Sequence, residues 1–235
     1  MSTTVESQYS SPRASGVATP SVGSVAIFGA GRVGTVLARA LVEAGLSVHV
    51  VGPRGPEDIR LIVDVVAPGA NASEAAEAVV DADVVILAVP LHKVDSLDSH
   101  LLEGKIVVDV MNYWEPIDGH LPEFADATNG TSPIIASKFP GARIVKAFNH
   151  IGYHDIESDR RDAESPDRRA LAVASDDDEA ALAVMSLVDA IGFDALDLGP
   201  LSNGVVLEAG GGVFGVRLGK ERLAALIDEK TTREG

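Results

Sequence analysis

Cysteine is absent from this 235-residue chain, which excludes a disulfide scaffold, a thiol nucleophile and a cysteine-ligated metal site. No apolar run is long enough to cross a bilayer. Residues 1–23 are rich in Ser, Thr, Pro and Gly and lack the apolar stretch of a secretory signal. We therefore expect a cytoplasmic protein in which residues 1–23 form a disordered tail.

Positive charge is also scarce, because 19 Lys and Arg stand against 35 Asp and Glu, for a net charge of −16. Such a balance argues against nucleic acid and anionic membranes as the main partners. An anionic cofactor would have to meet local positive charge, from Arg32, Arg54 or helix N-termini.

The chain does contain a short apolar run that ends in a glycine-rich turn, Gly29-Ala30-Gly31-Arg32-Val33-Gly34, before a helical pattern. Gly29 permits the tight turn, Gly31 lets the backbone approach a pyrophosphate, and Gly34 lets the helix pack on the strand. Phosphates would bind the free N–H groups of that helix start. The alternative is an ordinary strand-to-helix turn that needs glycine only for packing.

The second apolar run, Ser47 to Val51, is followed by Gly52-Pro53-Arg54. An NAD site carries an acidic residue near this point, which binds the ribose hydroxyls. No carboxylate stands there, and the planar guanidinium of Arg54 can pair with a 2′-phosphate. We predict NADP(H) over NAD(H); the alternative is a solvated loop arginine without a ligand.

Strand and helix patterns alternate along the chain, which predicts an α/β fold with a Rossmann-type doubly wound parallel sheet. We expect a dinucleotide-binding domain at residues 24–150 and a small C-terminal α/β extension at 151–235. Ligands of such sheets bind at the carboxyl ends of the strands. The residues just after each strand should therefore line one rim.

Several other segments are predicted from local pattern. Ser73 should cap a helix that reaches Val80, and a helix should cover 91–102. Residues 113–130 are typical of a long loop, and the charged stretch 155–169 of a solvated excursion. The run Asp176 to Glu179 is better explained by an acid-rich helix start than by a metal site, and no metal site is predicted.

Polar residues that follow strands are the candidates for chemistry. His150 could contact a reacting ring or merely cap a strand end, and Asn149 could bind the nicotinamide amide or simply turn the chain. Asn112 has the same two interpretations. The aromatic pair Tyr113 and Trp114 could stack on a ring or cover the edge of the core.

Three blocks together resemble one known family. They are the glycine-rich turn at 29–34, the run 145–149 (VKAFN), and the acid-rich helix start at 175–179 followed by 197–203 (DLGPLSN). The chain is similar over residues 24–215 to the NADP oxidoreductase, coenzyme F-420-dependent, family. Other enzymes of the same architecture use a flavin, ferric ion, imine or carbonyl acceptor, and a NADP-binding sensor without turnover stays open as well.

The resemblance implies hydride transfer between C4 of the nicotinamide of NADP(H) and C5 of a deazaflavin, coenzyme F-420, in a homodimer. It implies a pyrophosphate site at residues 29–33 and a 2′-phosphate site at residues 52–54. The nicotinamide would lie beside Val89 and Pro90. The deazaflavin site would be formed by Ala147, Phe148, Asn149, His150, Leu201 and Ser202.

Overall fold

A computed structural model describes the backbone of residues 20–234 and the side chains of residues 20–231. Most of the predicted tail at 1–23 therefore lies outside the described residues. Eight strands form one sheet in the order β3-β2-β1-β4-β5-β6-β7-β8. Every neighbouring pair is parallel except β6 and β7. The predicted Rossmann-type α/β fold is thus confirmed, with one antiparallel pair that the sequence pattern did not reveal.

The strands are short and, toward the centre of the sheet, almost wholly apolar, as expected where helices cover both faces. Their bounds are β1 Ser24–Phe28, β2 Ser47–Val51, β3 Asn71–Ser73, β4 Val84–Leu87, β5 Ile106–Asp109, β6 Arg143–Lys146, β7 Ala170–Ser175 and β8 Asp194–Asp197.

Nine α-helices lie among the described residues. They are α1 Arg32–Glu43, α2 Pro56–Val66, α3 Ala75–Val80, α4 Glu115–Asp118, α5 Pro122–Ala125, α6 Ser132–Lys138, α7 Tyr153–Ser158, α8 Asp178–Ala190 and α9 Lys220–Glu234. Three 3-10 helices complete the set, at Leu91–Ser96, Ser99–Leu102 and Leu201–Leu207.

The core lies on both faces of the sheet because side chains alternate along each strand. In β1, Val25 and Ile27 pack with α1, α2 and α8, whereas Ala26 and Phe28 pack with α3 and α6 on the opposite face. A third cluster joins β7, β8 and α9. No helix of the part of the chain that the structure describes is long and apolar enough to span a membrane.

Three local predictions were wrong. Ser73 does not cap a helix; it ends β3, and its Oγ lies 2.9 Å from Nδ1 of His49 on the neighbouring strand. Residues 91–102 form two 3-10 helices rather than one α-helix, because Leu97 is extended and the Asp98 side chain caps a new turn by accepting from the His100 N–H. The loop predicted at 113–130 contains α4 and α5.

The charged stretch 155–169 is not simply a solvated excursion. Asp159, Arg168 and Arg169 are all buried, and Nη1 of Arg169 lies 2.8 Å from Oδ2 of Asp159. The segment also contains most of α7, which packs on α1. Charge pairing lets these side chains enter the core, which a count of charged residues cannot reveal.

Candidate functional site

The glycine-rich turn joins β1 to α1 at the carboxyl edge of the sheet, wedged between the ends of two neighbouring strands. The Gly29 N–H donates to the Val51 carbonyl, and the Ala88 N–H donates to the Phe28 carbonyl. Gly29 has a φ of 122°, and a Cβ placed there would lie 2.3 Å from the Ala88 oxygen. The first glycine is therefore required by both backbone conformation and close approach.

The other two glycines of the motif have opposite surroundings. A Cβ on Gly34 would lie 1.9 Å from the Gly29 carbonyl oxygen, so only glycine lets α1 pack against the turn. A Cβ on Gly31 would meet nothing within 4 Å of it among the described residues. The backbone at Gly31 thus borders open space, as a position that approaches a pyrophosphate requires.

The start of α1 has the features of an anion site. Gly31 is its N-cap, and within the described range no side chain caps it and no acidic residue occupies its first turn. The first N–H groups of a helix have no partner inside the helix, and they carry a partial positive charge. The residues of this turn, Ala30, Arg32 and Val33 included, therefore fit the pyrophosphate of a dinucleotide.

The Arg32 side chain contacts the first residue of α7. Its Nη1 donates to the Tyr153 hydroxyl at 3.0 Å, and the guanidinium carbon lies 5.5 Å from the centre of the Tyr153 ring. The side chain is exposed, so the contact orients it without removing it from solvent.

The predicted 2′-phosphate site follows β2, where Pro53 and Arg54 are exposed. The Arg54 side chain is 80% exposed and pairs with Asp58, one turn into α2. Hydrogen bonding to Asp58 raises the pKa of Arg54 above its ordinary value. Gly52 packs against Ile59, which a Cβ would approach to 2.6 Å.

Two carboxylates near this loop were missed in the sequence. The Asp58 carboxylate forms an ion pair with the Arg54 guanidinium, and Oε1 of Glu74 would lie 3.0 Å from a Cβ on Gly55. The expectation that no carboxylate stands beside a 2′-phosphate therefore holds for the residues next to Arg54 in sequence but not in space. Asp58 could have been found by its spacing, because residues four apart meet on a helix face or at its entrance.

Val89 and Pro90 follow β4 at the same edge, with Val89 half-buried and Pro90 exposed. The loop they begin is tied to the segment after β5 by Asp118. One oxygen of this carboxylate lies 3.0 Å from Nδ1 of His92, and the other accepts from the Trp114 N–H at 2.9 Å. Asp118 was not singled out in the sequence, and it fixes the two loops beside the predicted nicotinamide position.

Asn112 and Asn149 are brought together across the ends of β5 and β6. Nδ2 of Asn112 donates to the Asn149 carbonyl at 2.7 Å, and Nδ2 of Asn149 donates to Oδ1 of Asn112 at 3.1 Å and to the Leu207 carbonyl at 2.9 Å. Asn149 is buried and Asn112 half-buried. The pair joins three segments of the rim, and only Asn112 retains access to a ligand.

His150 is buried and faces the core. Its Nε2 accepts from the Ala172 N–H at 3.1 Å, and its carbonyl accepts from the Gly215 N–H. Burial, and then the charges of Arg169 and Lys146, lower the pKa of His150 to about 3. This geometry favours the structural interpretation, a neutral histidine that joins β6 to β7, over contact with a reacting ring.

Most of the other residues carried over to the deazaflavin side are buried as well. Ala147, Phe148 and Leu201 are each less than 4% exposed, and only Ser202 is exposed. Phe148 adopts a φ of 59°, the one left-handed non-glycine residue in the described range, so the chain turns sharply there. These side chains support the rim from below and do not offer a surface to a ring.

An open cleft of about 700 Å³ lies beside this part of the rim, within the range of small-molecule sites. Tyr113 contributes to its wall, and its ring stacks on Phe124 at 6.4 Å. The lining residues are Tyr113, Phe124, Ala125, Ala127, Thr131, Ser202, Asn203, Val205, Val206, Glu208, Ala209, Gly210, Gly211, Lys230 and Thr231.

A buried ionic cluster, missed by the sequence interpretation, lies behind this cleft. Lys146 is fully buried, and its Nζ donates to Oδ2 of Asp109 at 3.1 Å and to the Met111 carbonyl at 2.7 Å. Glu208, whose Oε1 accepts from the Thr131 N–H and hydroxyl, lies 3.9 Å from the same Nζ. A charged residue at the end of an otherwise apolar strand was the available signal, because burial requires a partner.

Comparisons with known proteins support the prediction that this chain binds a dinucleotide. Residues 24–113 match the family described as NADP oxidoreductase, coenzyme F420-dependent. Metalloreductase STEAP3 of Rattus norvegicus is 33% identical over 187 residues, which is 79% of this chain and 36% of that protein. The chain therefore spans about a third of the length of this curated relative.

Solved structures share the fold. A hypothetical protein from Sinorhizobium meliloti has a TM-score of 0.74 at 28% identity, over 84% of this chain and 96% of that one. A proposed F420-dependent NADP reductase from Arthrobacter sp. FB24 has a TM-score of 0.64 at 24% identity, over 76% of this chain and 86% of the other. At that identity the second likeness shows the fold alone.

Proposed function

We propose that this chain, whose residues 24–113 match the NADP oxidoreductase, coenzyme F420-dependent family, transfers a hydride between NADPH and a deazaflavin. The match to this family and the likeness to a metalloreductase support an NADP-linked oxidoreductase, and the deazaflavin acceptor is the finer part of the proposal. The observation that supports it most is the open, uncapped start of α1 at Gly31, which fits the pyrophosphate of the dinucleotide.

Bound NADPH would supply the hydride from C4 of its nicotinamide, and the protein would need to supply position rather than a nucleophile. The N–H groups at Gly31 to Val33 would hold the pyrophosphate. Arg54 would hold the 2′-phosphate. Val89, Pro90 and the half-buried Asn112 would orient the nicotinamide.

The cleft beside Tyr113 is the proposed acceptor site. Tyr113, which is backed by the buried Phe124, offers aromatic surface to a planar ring, and Ser202 and Asn203 add polar groups to the lining. Hydride transfer needs the two rings at near-contact distance and water excluded between them. The buried Lys146 cluster and the Asn112–Asn149 pair would keep the rim rigid enough for that.

The test is to mix the protein with NADPH and oxidised coenzyme F-420 and follow the deazaflavin absorbance, with NADH in parallel. We expect bleaching with NADPH well ahead of NADH. A Ser202→Trp variant should fill the cleft and raise KM for the deazaflavin without changing the affinity for NADPH. The matched control is Ser137→Trp, at an exposed position of α6 outside the cleft.

A second candidate function is reduction of a metal ion, which the 33% identity to a metalloreductase favours. Consumption of NADPH with a ferric complex, and no bleaching of F-420, would support it over the deazaflavin. Binding of NADPH without consumption across deazaflavin, flavin, ferric, imine and carbonyl acceptors would instead favour a NADP-binding sensor. The homodimer and the cytoplasmic location stay predictions.

A further inference from the structure

A second cleft, of about 400 Å³, lies where the chain enters β7 and α9. Because β7 runs antiparallel to β6, its amino end lies toward the edge at which the parallel strands end. The lining residues are Asp159, Arg161, Pro166, Asp167, Arg168, Arg169, Arg217, Leu218, Gly219 and Arg222. None of them belongs to the glycine-rich turn or to the cleft beside Tyr113.

Arginine is concentrated in this cleft, which we call the arginine cleft. Five arginines line it, and Arg168, Arg169 and Arg217 pair with the carboxylates of Asp155, Asp159, Asp189 and Asp194. Arg161 and Arg222 have no carboxylate partner within the described residues. The whole chain has only 19 basic residues and a net charge of −16. Two guanidinium groups without a carboxylate, beside three that are paired, make this concave site favourable for an anionic ligand.

Two of the arginines are buried with donors left over. Arg169 is 4% exposed and pairs with Asp159, and Arg168 is 7% exposed and pairs with Asp189. Nevertheless Nε and Nη2 of Arg169 have no hydrogen-bond partner within the described part of the chain, and Nε of Arg168 has only an ion-pair contact with Oδ1 of Asp194, 3.5 Å away. Buried donors without partners are rare and costly in proteins, and an unseen acceptor is a common reason for them.

The start of α9 adds a third feature. Lys220 and Arg222 lie in its first turn, where the positive end of the helix dipole disfavours cations, and Glu221 is the one acidic residue of that turn. The same first turn has N–H groups free for an acceptor, and Gly219 and Arg222 both line the cleft. A bound anion would relieve the repulsion from both the dipole and the guanidinium groups.

We propose that the arginine cleft binds a small polyvalent anion that carries phosphate or carboxylate groups. Arg161, Arg217 and Arg222 are exposed and would contact it first. Planar guanidinium groups bind both kinds of group through paired N–H donors, which is why the shared chemistry is the claim. The inference does not depend on the proposed deazaflavin activity.

The test is calorimetric titration of the protein, saturated with NADP⁺ to fill the dinucleotide site, with pyrophosphate in one arm and citrate in the other. We expect saturable binding of one equivalent in at least one arm, and the stronger arm identifies the preferred group. The substitution Arg222→Gln should weaken binding by about tenfold and leave the affinity for NADP⁺ unchanged. Arg60→Gln, at an exposed arginine of α2, is the matched control.

A thermal melt provides the second measurement. The preferred anion should raise Tm of the unsubstituted protein and of Arg60→Gln, but raise that of Arg222→Gln much less. The proposal is overturned if neither anion binds saturably, or if Arg222→Gln and Arg60→Gln bind both anions as the unsubstituted protein does.

Discussion

On the dinucleotide side of the rim the backbone makes the site, whereas on the acceptor side interlocked side chains do. Gly31 borders open space and α1 begins without a cap, so the peptide groups there are free for a ligand. On the other side, the Asn149 amide and the His150 ring are used up by contacts inside the protein. A site made of backbone is visible in the sequence as glycine spacing, but one made of packed side chains is not.

The largest expected effect is on the acceptor side, where a charge is fully buried. Lys146→Met should leave Asp109 without its cation and lower the free energy of unfolding by about 3–5 kcal/mol, measured by urea denaturation. The double substitution Lys146→Met with Asp109→Asn should recover part of that loss, because the fully buried carboxylate is removed and Glu208 keeps its bonds to Thr131.

The control for this prediction is Lys138→Met. Lys138 pairs with Asp95 and Glu123, both of which are exposed, so its removal should cost less than about 1 kcal/mol. Equal losses for the two lysines would show that burial of the ion pair does not matter here.

The next effect contrasts two glycines of the same turn. Gly34→Ala would place a Cβ against the Gly29 oxygen and should cost about 3 kcal/mol of stability. Gly31→Ala should cost less than about 1 kcal/mol, yet weaken NADPH binding by about tenfold or more, because its methyl group would enter the space of the pyrophosphate. Unfolding and NADPH titration of both variants measure this.

If Gly31→Ala binds NADPH normally, the glycine-rich turn serves packing alone, which is the alternative interpretation of the motif. The two variants must therefore differ in which property they lose, and similar losses of both properties would contradict the assignment.

The sequence predicted most of the fold because periodicity reports burial. The runs at β1, β2 and β4 are largely apolar, and α6 and α8 were predicted within a residue of their bounds. Local sequence pattern failed where a long-range contact determines the structure. Ser73 contacts His49 on the neighbouring strand instead of capping a helix, and Arg169 is buried in an ion pair with Asp159 instead of lying in a solvated loop. The antiparallel direction of β7 is likewise a tertiary property, since its apolar pattern is the same in either direction.

In the candidate site, too, features set by local sequence were predictable and features set by long-range contacts were not. The spacing of Gly29, Gly31 and Gly34 is local, so their roles could be predicted before any contact was known. Phe148 is buried in the cluster that includes α8, and Leu201 in the cluster that includes α6, and no local pattern encodes either placement. Resemblance to a family can assign a role to a position in the chain, but it does not predict whether the side chain at that position is exposed.

A third prediction concerns how the stability of the acceptor side depends on pH through the buried His150. The pKa of His150 is near 3 in the folded protein and near its ordinary value of 6.5 when unfolded, so the unfolded state binds more protons between those values. Stability should therefore fall as pH falls through this window, by about 2 kcal/mol at pH 5 from His150 alone. Denaturant unfolding at a series of pH values measures it.

His150→Gln keeps an acceptor for the Ala172 N–H but does not titrate, so its stability should change less over the same window. Asp177 supplies an internal control, because bonding to Arg143 lowers its pKa to about 2 and its contribution is lost only below about pH 4. Parallel curves for the variant and the unsubstituted protein between pH 6.5 and 4 would mean that His150 is not held neutral by burial.

The smallest expected effect concerns the one charged side chain of the dinucleotide side that is assigned a specific phosphate. Arg54→Ala should weaken NADPH binding by about tenfold and leave NADH binding unchanged, because only NADPH carries the 2′-phosphate. Asp58→Asn should act in the opposite direction and strengthen NADPH by a few fold, since Asp58 competes with the phosphate for the same guanidinium. Fluorescence titration with both cofactors separates the cases. If Arg54→Ala lowers both affinities equally, the arginine supports the loop rather than reads the phosphate, and cofactor choice must come from the backbone that already makes the rest of this side.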